Sequence, residues 1–250
     1  MSKISLQRWQ QAQRWEQDHW DRSIAKGKRW RNLGPLKTLI KNLVEGGRGD
    51  DRNHWWAEKF ENYHYVPHHL NNVVEFGCGP FTNLRIILQG REARHVFASD
   101  PLAKHYVSYN GFHLSNKWKA REYLIDDHPL EEAPFASDYF DLVVCINVLD
   151  HVRDPDMCLT QLARVVAPTG LIILGQDLTN EDDLKAVEQF AKETGSDIGH
   201  PHSFSDSEYL LSYFRNYDDV LKKVLPREEG LAPFAHFGTL IYVGRKIQDD

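Results

Sequence analysis

Val73-Val74-Glu75-Phe76-Gly77-Cys78-Gly79-Pro80-Phe81-Thr82-Asn83-Leu84 is the stretch whose reading decides the fold. Its opening is apolar and β-branched, too short for a buried helix, and reads as a strand. Gly-x-Gly then turns the chain tightly and lets a ligand approach main-chain N–H groups near a helix N-terminus. Asp100, 21 residues after Gly79, ends the next apolar run, where a carboxylate can accept both hydroxyls of a ribose. A dinucleotide fingerprint needs Gly or Ala at its third small position. That position is Thr82, preceded by Pro80, so the pattern favours a different adenosine-containing cofactor.

Outward from this stretch, short apolar runs alternate with helix-length intervals. Residues 95–99, 122–125, 142–146 and 171–174 are further candidate strands, which predicts a βαβα order, a mostly parallel sheet and right-handed crossovers. Residues 219–225 and 237–243 are two more strands joined without a helix, so the sheet ends in an antiparallel hairpin. Ser205-Asp206-Ser207-Glu208 has the form of a capping box opening a helix to about residue 214. Before residue 70 the pattern is helical: Leu6, Trp9, Gln13, Glu16 and Trp20 keep three- and four-residue spacing. A short helix over residues 36–44 and a third over residues 53–63 follow. The division expected is a helical cap over residues 1–70 and a ligand-binding domain over residues 71–250.

A chain of 250 residues can bury one large core. Its net charge of −6 argues against coating nucleic acid or anionic membrane by bulk charge. No run of 18 apolar residues and no signal-peptide core occurs, so no membrane span and a cytoplasmic location are expected. Three scattered cysteines, Cys78, Cys145 and Cys158, make neither a disulfide framework nor a zinc knuckle. The charge is uneven: residues 1–65 carry a net +5 and six of the seven tryptophans, leaving −11 for the rest.

Together, Glu75-Phe76-Gly77-Cys78-Gly79-Pro80, Asp100, Ala133-Pro134-Phe135, residues 140–144, Asn147-Val148-Leu149-Asp150-His151-Val152 and the Pro-Thr-Gly turn at 168–170 form an ordered set. In that set the chain resembles the class I S-adenosylmethionine-dependent methyltransferases over residues 72–178. It is most similar to the small-molecule branch of ubiquinone/menaquinone-type and sugar O-methyltransferases. The resemblance implies a Rossmann-like, doubly wound α/β fold with seven strands, S-adenosylmethionine as cofactor and a small-molecule acceptor. It implies that Gly77, Cys78 and Gly79 lie along the methionine part of the cofactor with Glu75 near its ammonium. It also implies Asp100 on the ribose, Pro101 beside the adenine, Asp127 to Leu130 at the adenine edge, and Asn147 beside the cofactor.

The sulfonium is a good leaving group, so the enzyme's main task is to align a nucleophile and, for a hydroxyl, take its proton. The sugar O-methyltransferases pair a histidine after the fourth strand with an acid after the fifth; His151 and Asp177 match those positions, with Asp150 where that family has its other histidine. His151 as general base stands beside His151 as a loop hydrogen-bonding group. Metal-using relatives carry an Asp-Asn pair where this chain has Asp177-Leu178, so no metal is expected there. Of Gly199-His200-Pro201-His202, His202 is the expected pocket residue. Trp55, Trp56, Tyr63 and Tyr65 are candidate acceptor contacts, their alternative being core packing. Lys26, Lys28, Arg29 and Arg31 around Trp30 suit a phosphate or carboxylate, or plain solvation. Residues 147–150 lack the Asn/Asp-Pro-Pro-aromatic wall that grips a flipped base, so no nucleic-acid acceptor is expected. The leading reading is methyl transfer to a hydroxyl of a small-molecule acceptor, a sugar or other polar metabolite; the alternatives are methyl transfer to a small-molecule amine and a non-catalytic regulatory protein that binds the cofactor.

Overall fold

A computed structural model describes residues 3–31, 52–108, 120–194 and 200–248, with side chains given except at 23–31, 120–123 and 194. The short helix expected over residues 36–44 and the side chains of Lys26, Lys28, Arg29, Trp30 and Arg31 lie outside what is described. The elements run α1 (Leu6–Arg31), α2 (Asn53–Lys59), β1 (His69–Phe76), α3 (Leu84–Ile87), β2 (Glu92–Ser99), α4 (Ala103–Val107), β3 (Ala120–Asp126) and β4 (Phe140–Ile146). They continue with α5 (Pro155–Val165), β5 (Val166–Leu178), α6 (Glu181–Thr194), α7 (Ser207–Leu211), β6 (Tyr217–Pro226) and β7 (Gly238–Lys246).

The strands make one seven-stranded sheet in the order β3-β2-β1-β4-β5-β7-β6. The five central and left-hand strands are parallel, while β7 pairs antiparallel with both β5 and β6. This is the doubly wound α/β sheet with a closing hairpin that the apolar runs predict. Strand order reverses between β1 and β4, so the carboxyl ends of β1, β2 and β4 open a crevice where such sheets bind ligands.

Period-two alternation divides the core into two layers. Val74, Phe76, Val143, Cys145, Ile172 and Leu174 face Cys158, Leu159, Leu162 and Val165 of α5 and Leu210 and Leu211 of α7. Val73, Val144, Ile146, Leu171 and Ile173 face Trp56, Ala57, Phe60, Leu84 and Ile87. The strands are therefore apolar on both faces, as parallel strands covered by helices must be. All three cysteines are buried and free. Among the described residues, no helix is long and apolar enough to cross a membrane.

α1 runs through Gly27 without a break to Arg31, because one helical glycine costs only about 1 kcal/mol. One local reading changes. The capping residue of α7 is Asp206, whose carboxylate accepts from Glu208 N at 2.8 Å. The box begins one residue later than Ser205 because an ionised carboxylate is the stronger partner for a helix N-terminus.

The second layer also resolves Trp56 and Tyr63. Trp56 is 4% exposed and lies across Gly175, and Tyr63 is 1% exposed and stacked on Phe60 at 5.6 Å. Their rings are filled by core neighbours, which corrects the acceptor reading for these two. Tyr65 spends its hydroxyl on the Phe60 carbonyl at 3.0 Å, and the Trp55 ring lies edge-on to Trp56 with Lys59 Nζ 5.8 Å from its centroid. These contacts too are packing contacts around α2.

A Cβ on Gly175 would stand 2.8 Å from Trp56 Cζ3 and 3.3 Å from Cε3. Replacing a strand glycine ordinarily gains roughly 0.5–1 kcal/mol, but overpacking a filled core costs about 1–3 kcal/mol. Gly175→Ala is expected to lower the urea midpoint for that reason; an unchanged or raised midpoint would show that the Trp56 contact is not tight.

Candidate functional site

The loop after β1 is shaped from beneath by Glu75. This residue is 1% exposed, and its carboxylate accepts from Asn83 N at 3.0 Å, Asn83 Nδ2 at 2.9 Å, Leu84 N at 3.4 Å and Thr82 Oγ1. Burial pushes its carboxyl up to about 7 against the pull of those four donors. The acceptor capacity of Glu75 is spent on its own loop, which corrects its placement near a cofactor ammonium: its work is to hold residues 77–83 in shape. Asn53 of α2 adds a second brace, its Nδ2 donating to Phe81 O at 2.5 Å.

Gly77 and Gly79 both adopt left-handed φ values, +65° and +52°. A Cβ on Gly77 would collide with the side chain of Val148, whereas one on Gly79 would meet open space. Gly77 is thus required by packing as well as by conformation, and Gly79 faces a cleft. Cys78 N donates to Ser99 O at 3.2 Å, and Gly79 N donates to Asp100 Oδ2 at 3.1 Å. Asp100 Oδ1 accepts from Leu102 N at 2.8 Å. Desolvation pushes the Asp100 carboxyl up to about 6 despite these two N–H groups. The Gly-x-Gly loop and the Asp100 carboxylate are therefore brought together, at the carboxyl ends of neighbouring strands, with Pro101 opening the turn that follows.

At the end of β3 the acid facing inward is Asp126. Its Oδ2 accepts from Ser99 Oγ at 2.7 Å and its Oδ1 bonds His128 Nδ1 at 2.6 Å. Asp127 points outward to Lys104 Nζ at 2.5 Å, and this surface pair holds its carboxyl below the usual range. Leu130 is buried beside Phe76 and Ala133 in the first core layer. Strand alternation thus turns Asp126 in and Asp127, the residue expected at the adenine edge, out to the surface, and Leu130 is a core residue.

Asn147 ends β4 with a left-handed φ of +57°, a conformation that Asn tolerates better than most side chains. Its N donates to Gly175 O at 2.8 Å, and its Oδ1 accepts from Asp177 N at 3.2 Å. The next residues fold into a 3-10 turn, Leu149–His151. Leu149 N donates to Gln176 Oε1 at 3.2 Å, while Arg153 N and Asp154 N donate to Glu131 Oε1 at 2.7 and 2.9 Å. Both ends of the turn are thereby pinned, and it abuts the Gly77 loop through Val148.

The turn presents His151, but its partners are not those the sequence suggests. His151 Nε2 lies 3.8 Å from Asp150 Oδ2, its Nδ1 lies 3.8 Å from Glu16 Oε2 of α1, and its ring centroid is 4.3 Å from that of His200. His200 Nδ1 donates to Asp150 Oδ2 at 2.5 Å. Burial raises the Asp150 carboxyl, but His151 and His200 outweigh it and hold it well below the usual range. Burial of its inner edge opposes the charge on His200, yet the charge and hydrogen bond of Asp150 leave it above an ordinary histidine.

Asp177 instead accepts from Thr239 Oγ1 at 2.8 Å and lies 3.7 Å from His236 Nε2. Burial raises its carboxyl against the pull of His236. The expected pairing of His151 with Asp177 is replaced by His151 with Asp150, Glu16 and His200. His202 contributes its backbone, N to Asp150 O at 3.2 Å, while burial lowers its ring's titration. His200 is the member of that histidine pair whose side chain reaches the cluster.

α1 lies across all of this. Ile4 N donates to Arg153 O at 3.0 Å near one end; further along, Gln17 Nε2 stands 3.5 Å from His105 Nδ1 and Asp21 Oδ1 3.1 Å from His105 Nε2. Between them Trp20 Nε1 donates to Glu16 Oε1 at 2.6 Å, and the Trp20 ring lies 5.5 Å from that of Phe81 in the glycine loop. The helix thus spans from the 3-10 turn after β4 to α4 after β2. Glu16 and Trp20 were visible only as members of an amphipathic stripe, and spacing alone could not say which strand ends they meet.

A methyltransferase-domain family model matches residues 34–218. Among solved structures, the chain is similar to a Haloferax volcanii methyltransferase determined with the Trm112 methyltransferase activator, at 18% identity, TM-score 0.56, covering 80% of this chain and 93% of that one. It is also similar to the N-methyltransferase NodS of Bradyrhizobium japonicum bound to S-adenosyl-L-homocysteine, at 14% identity, TM-score 0.53, covering 80% and 91%. A third is a sarcosine dimethylglycine methyltransferase of Galdieria sulphuraria, at 12% identity, TM-score 0.55, covering 78% and 85%. At these identities the likeness is one of fold. No curated protein matches the chain by sequence. The family match covers most of the chain and coincides with the sheet and its strand-end glycine loop, so the chain belongs to the methyltransferase-domain family, the class I S-adenosylmethionine-dependent enzymes.

Proposed function

We propose that the enzyme moves the methyl group of S-adenosylmethionine to a hydroxyl of a small, polar acceptor, a sugar or sugar-like metabolite, held beneath α1. The observation that carries this reading is His151 set between the carboxylates of Asp150 and Glu16, 3.8 Å from each. A sulfonium leaves readily, so a strong base is useful only where the nucleophile carries a proton it gives up reluctantly, as a hydroxyl does. In this reading His151 takes that proton and Asp150 stabilises the imidazolium. Asp177 supports the end of β5, through Thr239 and His236, and does not share the proton.

The crevice supports a matching place for the cofactor. The backbone of Gly77, Cys78 and Gly79 runs along the methionine part, where the open side of Gly79 leaves room for it. Asp100 accepts the ribose hydroxyls, Pro101 flanks the adenine with Asp126 at its edge, and Asn147 borders the sulfonium side. α1 acts as the cap, with Trp20 and Glu16 facing inward. A second reading, an amine acceptor, has its own support: Glu16, Asp100 and Asp150 gather negative charge that complements an ammonium group.

His151→Ala is expected to lower turnover with a hydroxyl acceptor by about 10²–10⁴-fold while leaving S-adenosylhomocysteine affinity intact. A rate little changed, found with an amine acceptor from the same panel, would replace the hydroxyl reading with the amine one.

Asp100 gives a pH signature. Its carboxyl sits near 6 in the free protein, and only the ionised form accepts from both hydroxyls. Affinity for S-adenosylhomocysteine, measured by calorimetry, should therefore be flat above about pH 7 and weaken as pH falls through 6. Asp100→Asn should bind about 10–100-fold more weakly, the worth of one charge-assisted hydrogen bond, with no inflection near pH 6. An inflection that persists in Asp100→Asn would assign the titration to another group.

A further inference from the structure

The cluster of Asp150, His151 and His200 has a second chemical capacity. One ligand atom from each lies within 4.8 Å of the others, and the side chains are 9%, 19% and 43% exposed. Asp150 Oδ1 is buried with no hydrogen-bond partner, a costly state for a carboxylate oxygen that an ion held by both oxygens of this carboxylate would relieve. We propose that these three side chains form a site for a first-row divalent transition-metal ion such as Zn²⁺. The proposal shares side chains with the base reading above, but it does not depend on their being catalytic.

The geometry is close to what such an ion requires. Ligand bonds of about 2.0–2.2 Å in a tetrahedron place neighbouring donors about 3.3 Å apart. The separations here are 2.5 Å for His200 to Asp150 and 3.8 Å for His151 to Asp150. They bracket that value, and with all three donors within 4.8 Å of one another side-chain movements of about 1–1.5 Å complete the set. Two imidazoles and one carboxylate suit Zn²⁺, Co²⁺ or Fe²⁺ and disfavour Mg²⁺ and Ca²⁺, which prefer all-oxygen shells. Three protein ligands leave a fourth position open for water or another small ligand.

Glu16 supplies the outer support that metal-bound histidines usually have. A ligating imidazole hands its other N–H to a carboxylate, which fixes its tautomer and strengthens it as a donor. With His151 Nε2 turned to Asp150, its Nδ1 faces Glu16 Oε2 at 3.8 Å, a short side-chain movement from a hydrogen bond. Glu16 is itself oriented by Trp20 Nε1 at 2.6 Å. The negative charges of Asp150 and Glu16 together offset that of the ion. Because the ion and a proton compete for the same lone pair of His151, a bound ion would slow any transfer that uses His151 as base.

The test is a Co²⁺ titration of the full chain, followed by visible absorption and then Zn²⁺ displacement, with Mg²⁺ as a separate arm. One Co²⁺ per chain is expected, with bands of nitrogen- and oxygen-ligated cobalt that Zn²⁺ abolishes and Mg²⁺ does not. His200→Ala and Asp150→Asn should each remove the bands, and Glu16→Gln should weaken binding by about 10–100-fold. The surface variant His69→Ala should change nothing, and circular dichroism confirms that each variant is folded. No binding, binding unchanged in His200→Ala and Asp150→Asn, or equal binding of Mg²⁺ would overturn the proposal. None of these outcomes bears on S-adenosylhomocysteine affinity, so the cofactor reading fails or stands separately.

Discussion

A carboxylate buried at the end of a central strand must be satisfied by its immediate surroundings, and in this enzyme Glu75 imposes that demand. Its oxygens collect donors from Thr82, Asn83 and Leu84. An unmade bond to a buried charge costs more than a made one gains, so the loop has little freedom to take another path. Once residues 82–84 are drawn in beneath the strand, residues 77–79 must turn through left-handed conformations above it. The packing of Val148 against Gly77 then ties the β4 turn to the same loop. The crevice is thus a consequence of one buried charge and two glycines.

A second constraint comes from α1. α1 is amphipathic, and polar contacts add to its apolar stripe: Ile4 just before the helix and Gln17, Trp20 and Asp21 within it tie it to the sheet's loops. Ala12 is wholly buried beneath it, where a larger side chain would lift it away. The result is that two elements remote in sequence, α1 and the residues around His200, close on the same 3-10 turn. Glu16, Asp150, His151 and His200 come from three places in the chain and meet only because of this closure.

The sheet was legible in the sequence because parallel strands buried on both faces must be apolar, and such runs cannot be hidden. Gly77, Gly79 and Asp100 were equally legible, since each is set by local backbone need and strand spacing. The departures share one physical cause, side-chain direction. Whether Asp126 or Asp127 points inward depends on the register of β3 with Ser99, which no local pattern contains. Trp56 and Tyr63 could be read as acceptor contacts or as core packing, and the approach of Trp56 to Gly175 and of Tyr63 to Phe60 decides for the core. Asp177 stood at the expected strand end, while the hairpin brought Thr239 and His236 to claim it. His200 and Glu16 carried no local signal stronger than a charged residue near an aromatic one.

The proposed mechanism needs the cofactor over the Gly77–Gly79 backbone with its methyl group facing the cluster under α1. A crystal structure with S-adenosylmethionine bound would show this. Both ribose hydroxyls are expected on the Asp100 carboxylate, with the sulfonium methyl directed toward the turn that carries Asp150 and His151. A ribose held away from Asp100, or a methyl group directed toward Asp177 and His236 instead, would contradict it.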